Sequence, residues 1–436
     1  MSDKKITQQN KEAFALRPVP ENEQKSWVAI VFVQSGMVIC IPAFLLGSML
    51  AQGMTIVSGL VSGAIGYVMV LILTFILGIQ GSDLHMPTCA ISQSVFGKKG
   101  TRLFVSSLFA VSLMGFFGLQ VNVCGVAFSN LMGELGFNIP VVVSSVIWGI
   151  VMVIVAVFGM ETLQKLDTYS VPALLLIMVV GLIFAFRMYG SSGIVDNEIT
   201  VPTMSMVDGI GLSFSFFSAS AFTAADVTRF QRCRKDTIKS SIWGLMPAGI
   251  ITMVIGFLLS RVAGEYDISL VLVNVGLPIL GIVIMIISTI TTNALNAYCG
   301  GLDLVMTFNI ADHRRREATA VIGIVGVILG ALGILNFIEE YLNWISFVGA
   351  PIAGVMIADY WLVGKGKSEN WHPHEGWNIV GIVAVGISLV ISLLIPIGVF
   401  NANGVIVSVV VYMILERFFR SASRSPSLRD RAGSAS

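Results

Sequence analysis

The sequence predicts an all-α integral membrane protein with twelve transmembrane helices. Of its 436 residues, 55% are hydrophobic and only 12% are charged, whereas soluble domains carry roughly 25% charged residues. Apolar runs of about 20 residues recur along the chain, and a helix of that length crosses the hydrocarbon layer of a bilayer. Because so few charges cannot cover a water-facing surface, the lipid bilayer is the expected surrounding of this chain.

Twelve apolar runs define the expected spans in order. They are 27–50, 57–80, 102–132, 139–159, 168–189, 207–231, 239–262, 271–308, 318–336, 340–363, 377–397 and 402–419. The first run is too long for the core of a signal peptide and is therefore counted as a span. The chain then divides into a tail at 1–26, spans 1–5 at 27–189, spans 6–10 at 207–363, spans 11–12 at 377–419 and a tail at 420–436.

The distribution of lysine and arginine predicts the orientation, because short loops rich in these residues stay on the cytoplasmic side. With the amino terminus inside, 24 of the 26 lysines and arginines fall in inner segments, and only Arg187 and Arg261 fall outside. Both termini are therefore expected in the cytoplasm. The formal net charge of +1 argues against a nucleic-acid partner. The five cysteines occur singly, without the spacing of a metal site or a disulfide framework.

Spans 1 and 6 carry small or helix-breaking residues near their centres. Span 1 contains Gly36 and Pro42, and a proline inside a helix removes a hydrogen bond and clashes with the preceding turn. For span 1 alone, a simple proline kink remains an alternative. Span 6 has a hydroxyl-rich centre, formed by Ser213, Ser215, Ser218 and Ser220. Two interrupted spans five apart match corresponding positions of an inverted repeat of five helices, and such pairs indicate a substrate site of a transporter.

Span 8 contains a third concentration of polar residues. Ser288, Thr291 and Thr292 follow the spacing i, i+3, i+4, which places them on one helix face. For any one of these residues, a hydroxyl bonded back to the preceding turn remains an alternative. Three oxygens on one face, beside carbonyls freed by a break in span 1, resemble the all-oxygen shell of a hard cation such as Na⁺.

Charged residues at membrane depth are few. Asp226 precedes Arg229 by three residues at the inner end of span 6, where a local ion pair or an inner gate is expected. Asp303, near the inner end of span 8, is expected to reach the membrane interface. Nothing in the sequence resembles the nucleophile and base of an enzyme. The expectation is a transporter without a cofactor and without an obligate protein partner.

Five stretches of the chain resemble the nucleobase:cation symporter-1 family, in its cytosine and purine permease branch. They are FVQSGMVICIP in span 1, LMGFFG in span 3, FFSASAFTAADVTRF in span 6, TTNALNAY in span 8 and FVGAPIAGVMIADYW in span 10. The resemblance covers nearly the whole chain. It implies a five-plus-five inverted repeat similar to that of the leucine transporter, followed by two additional C-terminal helices.

The resemblance also implies a substrate site. A nucleobase-like ring is expected between two aromatic side chains, Phe116 of span 3 and Phe217 of span 6. Gln120, one turn after Phe116, matches a position that some members use for hydrogen bonds to the ring. Asn293 matches the asparagine of the family's span 8 motif. The other expected substrate-binding residues are Cys40, Ser218, Ser220 and Asn296.

The sodium site of the family matches this sequence at every position. The implied ligands are the backbone carbonyls of Gly36, Ile39 and Ser288 and the hydroxyls of Thr291 and Thr292. The expected function is the import of a nucleobase or related flat heterocycle across a bacterial cytoplasmic membrane. Import is expected to be coupled to Na⁺ by alternating access, in which each ligand raises the affinity for the other.

Three departures from the family leave the substrate open. Phe116 stands where members often have a tryptophan. Leu113 stands where cytosine permeases have a glutamine, and Ala294 stands where they have an aspartate. One alternative is a proton-coupled or uncoupled carrier of a hydantoin, allantoin or a thiamine-precursor pyrimidine. A channel or a ligand sensor is a more distant alternative, because a channel requires a continuous polar pore.

Overall fold

The computed structural model describes residues 16–192, 199–265, 267–395 and 398–424, together with Ile194 and Asn197. Helices and loops make up this described part, and no strand occurs within it. Residues 1–15 of the expected amino-terminal tail and residues 425–436 of the expected carboxy-terminal tail lie outside the described residues. The all-α prediction is confirmed for the described part of the chain.

The first five expected spans correspond to helices between residues 27 and 189. These are α1 (Trp27–Val38), α2 (Ile41–Gly53), α3 (Ile56–Leu84), α4 (Thr88–Ile91), α5 (Gln93–Gly100), α6 (Ser107–Glu134), α7 (Val141–Ala156) and α8 (Met160–Tyr189). Span 1 is the pair α1 and α2. A π-helical stretch, Thr101–Ser106, joins α5 to α6, so the helical run of span 3 starts well before residue 102. Span 5 is α8, which begins eight residues earlier than expected.

The later spans correspond to a second series of helices. These are α9 (Met206–Phe222), α10 (Ala224–Thr228), α11 (Arg234–Ala263), α12 (Ile268–Asn274), α13 (Pro278–Phe308), α14 (Arg315–Ala331), α15 (Ile338–Ile357), α16 (Ile379–Leu394) and α17 (Phe400–Arg424). Span 6 is the pair α9 and α10, and span 8 is α13. The expected start of span 8 at residue 271 is wrong, because Gly276 (φ 85°) ends the separate helix α12 and Pro278 starts α13.

Many of the helices have the lengths and compositions of membrane spans. Within the described ranges, seven helices are long and apolar enough to cross a membrane, and the bent pair α1–α2 brings the number to eight. α7, α9 and α16 are apolar but shorter. Large apolar side chains such as Ile154 and Leu176 stay exposed on the outside of the bundle, as expected for a surface that contacts lipid tails.

The packing brings the broken spans to the middle of the bundle. α1, α8 and α13 pack against one another, and α2 contacts α6, α9 and α13. α2 also packs closely on α11, because an ideal β-carbon on Gly47 would lie 2.6 Å from the backbone nitrogen of Phe257. This close approach requires glycine. The break between α1 and α2 is therefore surrounded by α6, α8, α9 and α13.

Candidate substrate and cation site

Span 1 is broken at Ile39 and Cys40. The axes of α1 and α2 bend by 56° at this point. Ile39 has φ −86° and ψ 87°, and Cys40 is extended with φ −146° and ψ 157°. Pro42 lies in the first turn of α2, where its missing N–H removes no helical hydrogen bond. The predicted interruption of span 1 is confirmed, and it lies just before the proline because proline is well accommodated at a helix start.

Span 6 is interrupted at Thr223, and not at its serine-rich centre. Thr223 has φ −101° and ψ 17° and separates α9 from α10. Ser218 donates its hydroxyl to the carbonyl of Ser215 across 3.0 Å. Ser220 donates to the carbonyl of Phe217 across 2.6 Å. Because these hydroxyls are satisfied within a continuous helix, the expected break at the serines is wrong.

A cavity of about 50 Å³ lies between the two interruptions, with room for a few water molecules. Six of the eight expected substrate-binding residues line it, namely Cys40, Phe116, Gln120, Phe217, Ser220 and Asn296. Thr292, expected at the cation site, lines it as well. The sequence did not single out the other lining residues for this role, which are Met37, Pro42, Leu113, Leu119, Phe216, Ala219 and Thr223.

Two aromatic side chains of this cavity are supported by tyrosines from other spans. The ring of Phe217 lies 4.4 Å from that of Tyr67 and 5.1 Å from that of Phe216, measured between centroids. The ring of Phe116 meets Tyr341 edge-on with centroids 5.4 Å apart. Such contacts restrict the orientations of Phe116 and Phe217. Tyr67 lies in α3 and Tyr341 in α15.

Gln120 supplies a buried acceptor at the cavity. Its side chain is 3% exposed, and its Oε1 has no hydrogen-bond partner among the described residues. Leaving a buried acceptor without a partner costs about 1–3 kcal/mol. An N–H group of a ligand in the cavity could remove this cost. Gln120 can therefore recognise a polar edge of a flat heterocycle.

Two of the expected substrate-binding residues do not line the cavity. Asn293 donates its amide N–H to the carbonyl of Phe117 across 3.0 Å, and its Oδ1 lies 3.4 Å from the amide nitrogen of Asn296. Asn293 thus fixes the position of Asn296, which does line the cavity. Ser218 is fully buried within α9 and bonds to its own helix.

Oxygen atoms converge where α13 passes the end of α1. The hydroxyl of Thr292 lies 2.9 Å from the carbonyl oxygen of Gly36 and 3.0 Å from that of Ser288. The hydroxyl of Thr291 lies 3.4 Å and 3.2 Å from the same two oxygens. No hydrogen bond links the carbonyl of Ile39 to these threonines within the described residues. Four neutral oxygens of the hydroxyl and carbonyl type suit a hard cation.

Asp167 of α8 lies beside this oxygen cluster and was not expected there. It is 2% exposed, and its Oδ1 has no hydrogen-bond partner among the described residues. An ideal β-carbon on Gly36 would lie only 2.5 Å from Asp167 Oδ1, so the carboxylate contacts the backbone of α1. The sequence placed span 5 from residue 168 onward, which left Asp167 in a loop. In the structure Asp167 lies two turns inside α8, which begins at Met160.

The carboxy-terminal parts of span 6 and α13 hold a second group of buried charges. Asp303 is fully buried, and neither carboxylate oxygen has a hydrogen-bond partner within the described ranges. The expectation that Asp303 reaches the interface is wrong, because packed helices enclose this part of α13. Asp226 Oδ1 accepts the backbone N–H of Thr88 across 2.8 Å. Arg229 donates to the backbone carbonyl of Asp226 across 3.2 Å and to the hydroxyl of Tyr298 across 2.9 Å.

Comparison with known proteins decides the family. A family profile described as "Permease for cytosine/purines, uracil, thiamine, allantoin" matches residues 18–417. The chain belongs to this permease family. The cytosine permease of Escherichia coli (strain K12) is 27% identical over 410 residues, which cover 92% of this chain and 94% of that protein. The resemblance to nucleobase:cation symporters is thereby confirmed.

Solved structures share the fold of this permease. One is Mhp1, a nucleobase-cation-symport-1 family transporter in a closed conformation with bromovinylhydantoin bound, with a TM-score of 0.82 at 18% identity over 94% of this chain and 96% of that one. Another is a Na⁺-coupled sialic acid symporter in a substrate-bound outward-open state, with a TM-score of 0.66 at 13% identity over 90% of each chain. Family and fold make this permease a multi-pass membrane transporter of the nucleobase type, and not an enzyme.

Proposed function

We propose that the permease imports a nucleobase or a related flat heterocycle together with Na⁺ by alternating access. One observation carries this proposal, namely that Thr292 lies both at the cavity and in the oxygen cluster. Its side chain lines the cavity between the interruptions of spans 1 and 6, and its hydroxyl bonds to the carbonyl of Gly36 in the oxygen cluster. A substrate and a cation bound at these places would share one residue, which gives their binding a direct physical link.

The substrate ring is proposed to lie between Phe116 and Phe217, with its polar edge on Gln120 and Asn296. All four residues line the cavity, and Cys40, Ser220, Thr223 and Thr292 add further polar groups to its lining. Stacking on the rings contributes about 0.5–1.5 kcal/mol beyond burial. A cavity of about 50 Å³ is small for a heterocycle, so entry of the ring requires the helices around the interruptions to move apart, as in alternating access. Asn293 and Ser218 do not line the cavity, and we propose that they hold the lining residues in place.

The cation is proposed to bind to the carbonyls of Gly36, Ile39 and Ser288 and to the hydroxyls of Thr291 and Thr292. Na⁺ at this place would hold α1 against α13 and favour the outward-facing state. The substrate then binds to that state, and opening of the inner side releases both ligands. Coupling requires both ligands to stabilise the same conformation.

The proposed topology has twelve spans, with both termini in the cytoplasm of a bacterial cell and the spans in its cytoplasmic membrane. Residues 27–189 and 207–363 form the two inverted halves, and residues 377–419 add two further spans. The eight spans recognised by length and composition become twelve when α7, α9–α10, α14 and α16 also cross the membrane. The charge asymmetry of 24 inner against two outer lysines and arginines supports this orientation.

The proposal is tested with purified permease in two steps. A thermal-shift panel of purines, pyrimidines, hydantoins, allantoin and thiamine-precursor pyrimidines, each with NaCl or choline chloride, identifies the ligand, because a ligand of the folded state raises its melting temperature. Uptake of that ligand into proteoliposomes is then measured with an inward Na⁺ gradient. We expect uptake to follow this gradient. Uptake that depends on a proton gradient and not on Na⁺ would favour the proton-coupled alternative. A lack of counterflow exchange would favour a channel or a sensor.

A further inference from the structure

The oxygen cluster between α1 and α13 contains only neutral groups, yet a carboxylate lies directly behind it. Asp167 belongs to α8, and α8 packs against both α1 and α13. The space next to Gly36 that a side chain would fill is occupied by this carboxylate, since an ideal β-carbon would lie 2.5 Å from Oδ1 and 2.8 Å from Cγ. Glycine at position 36 therefore allows the carboxylate to reach the backbone whose carbonyl oxygen contacts Thr292.

The surroundings of Asp167 provide no partner for its Oδ1. The side chain is 2% exposed, and Oδ1 has no hydrogen bond within the described ranges. A buried carboxylate without a partner is strongly unfavourable in a membrane protein, where such residues pair with an opposite charge. Moving a cation from water to a cluster of neutral oxygens is also unfavourable, because no negative charge there balances its positive charge. One Na⁺ at the oxygen cluster would remove both costs, because opposite charges a few ångströms apart attract strongly in a poorly screened interior.

We propose that the Asp167 carboxylate is the negative counter-charge of the Na⁺ site between α1 and α13. This inference rests on the sodium-coupled function proposed above and adds a residue that the sodium pattern of the sequence does not contain. Asp167 acts through its charge and its contact with Gly36. With Asp167 included, the bound cation links three helices, α1, α8 and α13, rather than only α1 and α13.

The test uses full-length purified permease and its melting temperature as a function of NaCl concentration, with choline chloride holding the ionic strength constant. Asp167→Asn keeps the shape of the side chain and removes its charge. We expect the half-saturating Na⁺ concentration to rise at least about tenfold, while Asp167→Glu, which retains the charge, keeps most of the response. Asp303→Asn is the matched control, since it neutralises another fully buried aspartate away from the cluster, and its Na⁺ response should equal that of the wild type.

The outcomes separate this inference from the proposed function. If the wild type responds to Na⁺, Thr292→Ala weakens the response and Asp167→Asn does not, the counter-charge role is overturned while sodium coupling stands. If the wild type shows no response to Na⁺, both proposals fail. Asp167→Ser provides a smaller neutral side chain if the asparagine variant does not fold, and direct binding of radioactive Na⁺ to either variant gives a second readout with the same expected weakening.

Discussion

The hydroxyl of Thr292 lies 2.9 Å from the carbonyl oxygen of Gly36, and this contact joins α13 to the end of α1 at the break in span 1. The same threonine lines the cavity between the two interrupted spans. A change in the position of α1 relative to α13 therefore changes both the oxygen cluster and the cavity wall.

Removing the hydroxyl of Thr292 should weaken the response to Na⁺. For Thr292→Ala we expect the half-saturating Na⁺ concentration for substrate uptake to rise about tenfold, because one cation ligand is lost. Thr289→Ala is the matched control. Thr289 is a buried threonine of the same helix whose hydroxyl bonds to the carbonyl of Met285 across 2.7 Å. Sodium activation of Thr292→Ala that matches the wild type would rule out the assigned cation site.

Removing the ring of Phe217 should weaken substrate binding. Phe217→Ala loses a stacking surface of the cavity and the contact with Tyr67, so we expect the dissociation constant to rise about tenfold or more. Phe214→Ala removes a fully buried ring of the same helix that does not line the cavity. It is expected to lower the melting temperature without changing substrate affinity. Calorimetric titration at a temperature where both variants are folded measures this difference, and equal affinities of Phe217→Ala and wild type would exclude the stacking role.

Replacing the buried amide of Gln120 by an apolar side chain should lower substrate affinity without lowering the melting temperature. Gln120→Leu removes an acceptor that has no partner in the described structure, so the melting temperature without substrate should stay equal or rise. Substrate affinity should fall about tenfold, because a polar edge of the ring loses its partner. Gln80→Leu, at another buried amide that has no hydrogen-bond partner among the described residues, should leave the affinity unchanged. A loss of affinity in both variants would contradict a specific role for Gln120.

Asp267, in the loop before α12, should make the free energy of unfolding depend on pH. Burial raises the pKa of the Asp267 carboxyl to about 6, although Ser269 donates to it. The folded protein therefore binds a proton at a higher pH than the unfolded chain does. Stability should increase as the pH falls from 7 to 5, by about 1 kcal/mol from this group, and the effect should level off below the ordinary aspartate pKa. Denaturation curves of Asp267→Asn, which keeps the cap of α12 without the charge, should lack this contribution.

Much of the fold could be predicted because membrane spans leave a strong compositional signal. The break of span 1 was predictable from Gly36 and Pro42, and six of the lining residues followed from family motifs. The break at Thr223 could not be predicted, because serines in a helix either mark an interruption or bond to their own turn, and only the tertiary structure decides between them. Asp167 was missed because charged residues at the start of an apolar run usually lie outside the membrane.

The most direct test of the proposed transport mechanism is a pair of equilibrium titrations with the ligand identified by the thermal-shift panel. The dissociation constant of that ligand is measured in NaCl and in choline chloride, and that of Na⁺ with and without the ligand. If the cavity and the oxygen cluster are coupled through Thr292, each ligand should tighten the other by the same factor, as thermodynamic linkage requires. Substrate affinity that is identical in NaCl and choline chloride would contradict sodium-coupled transport by this protein.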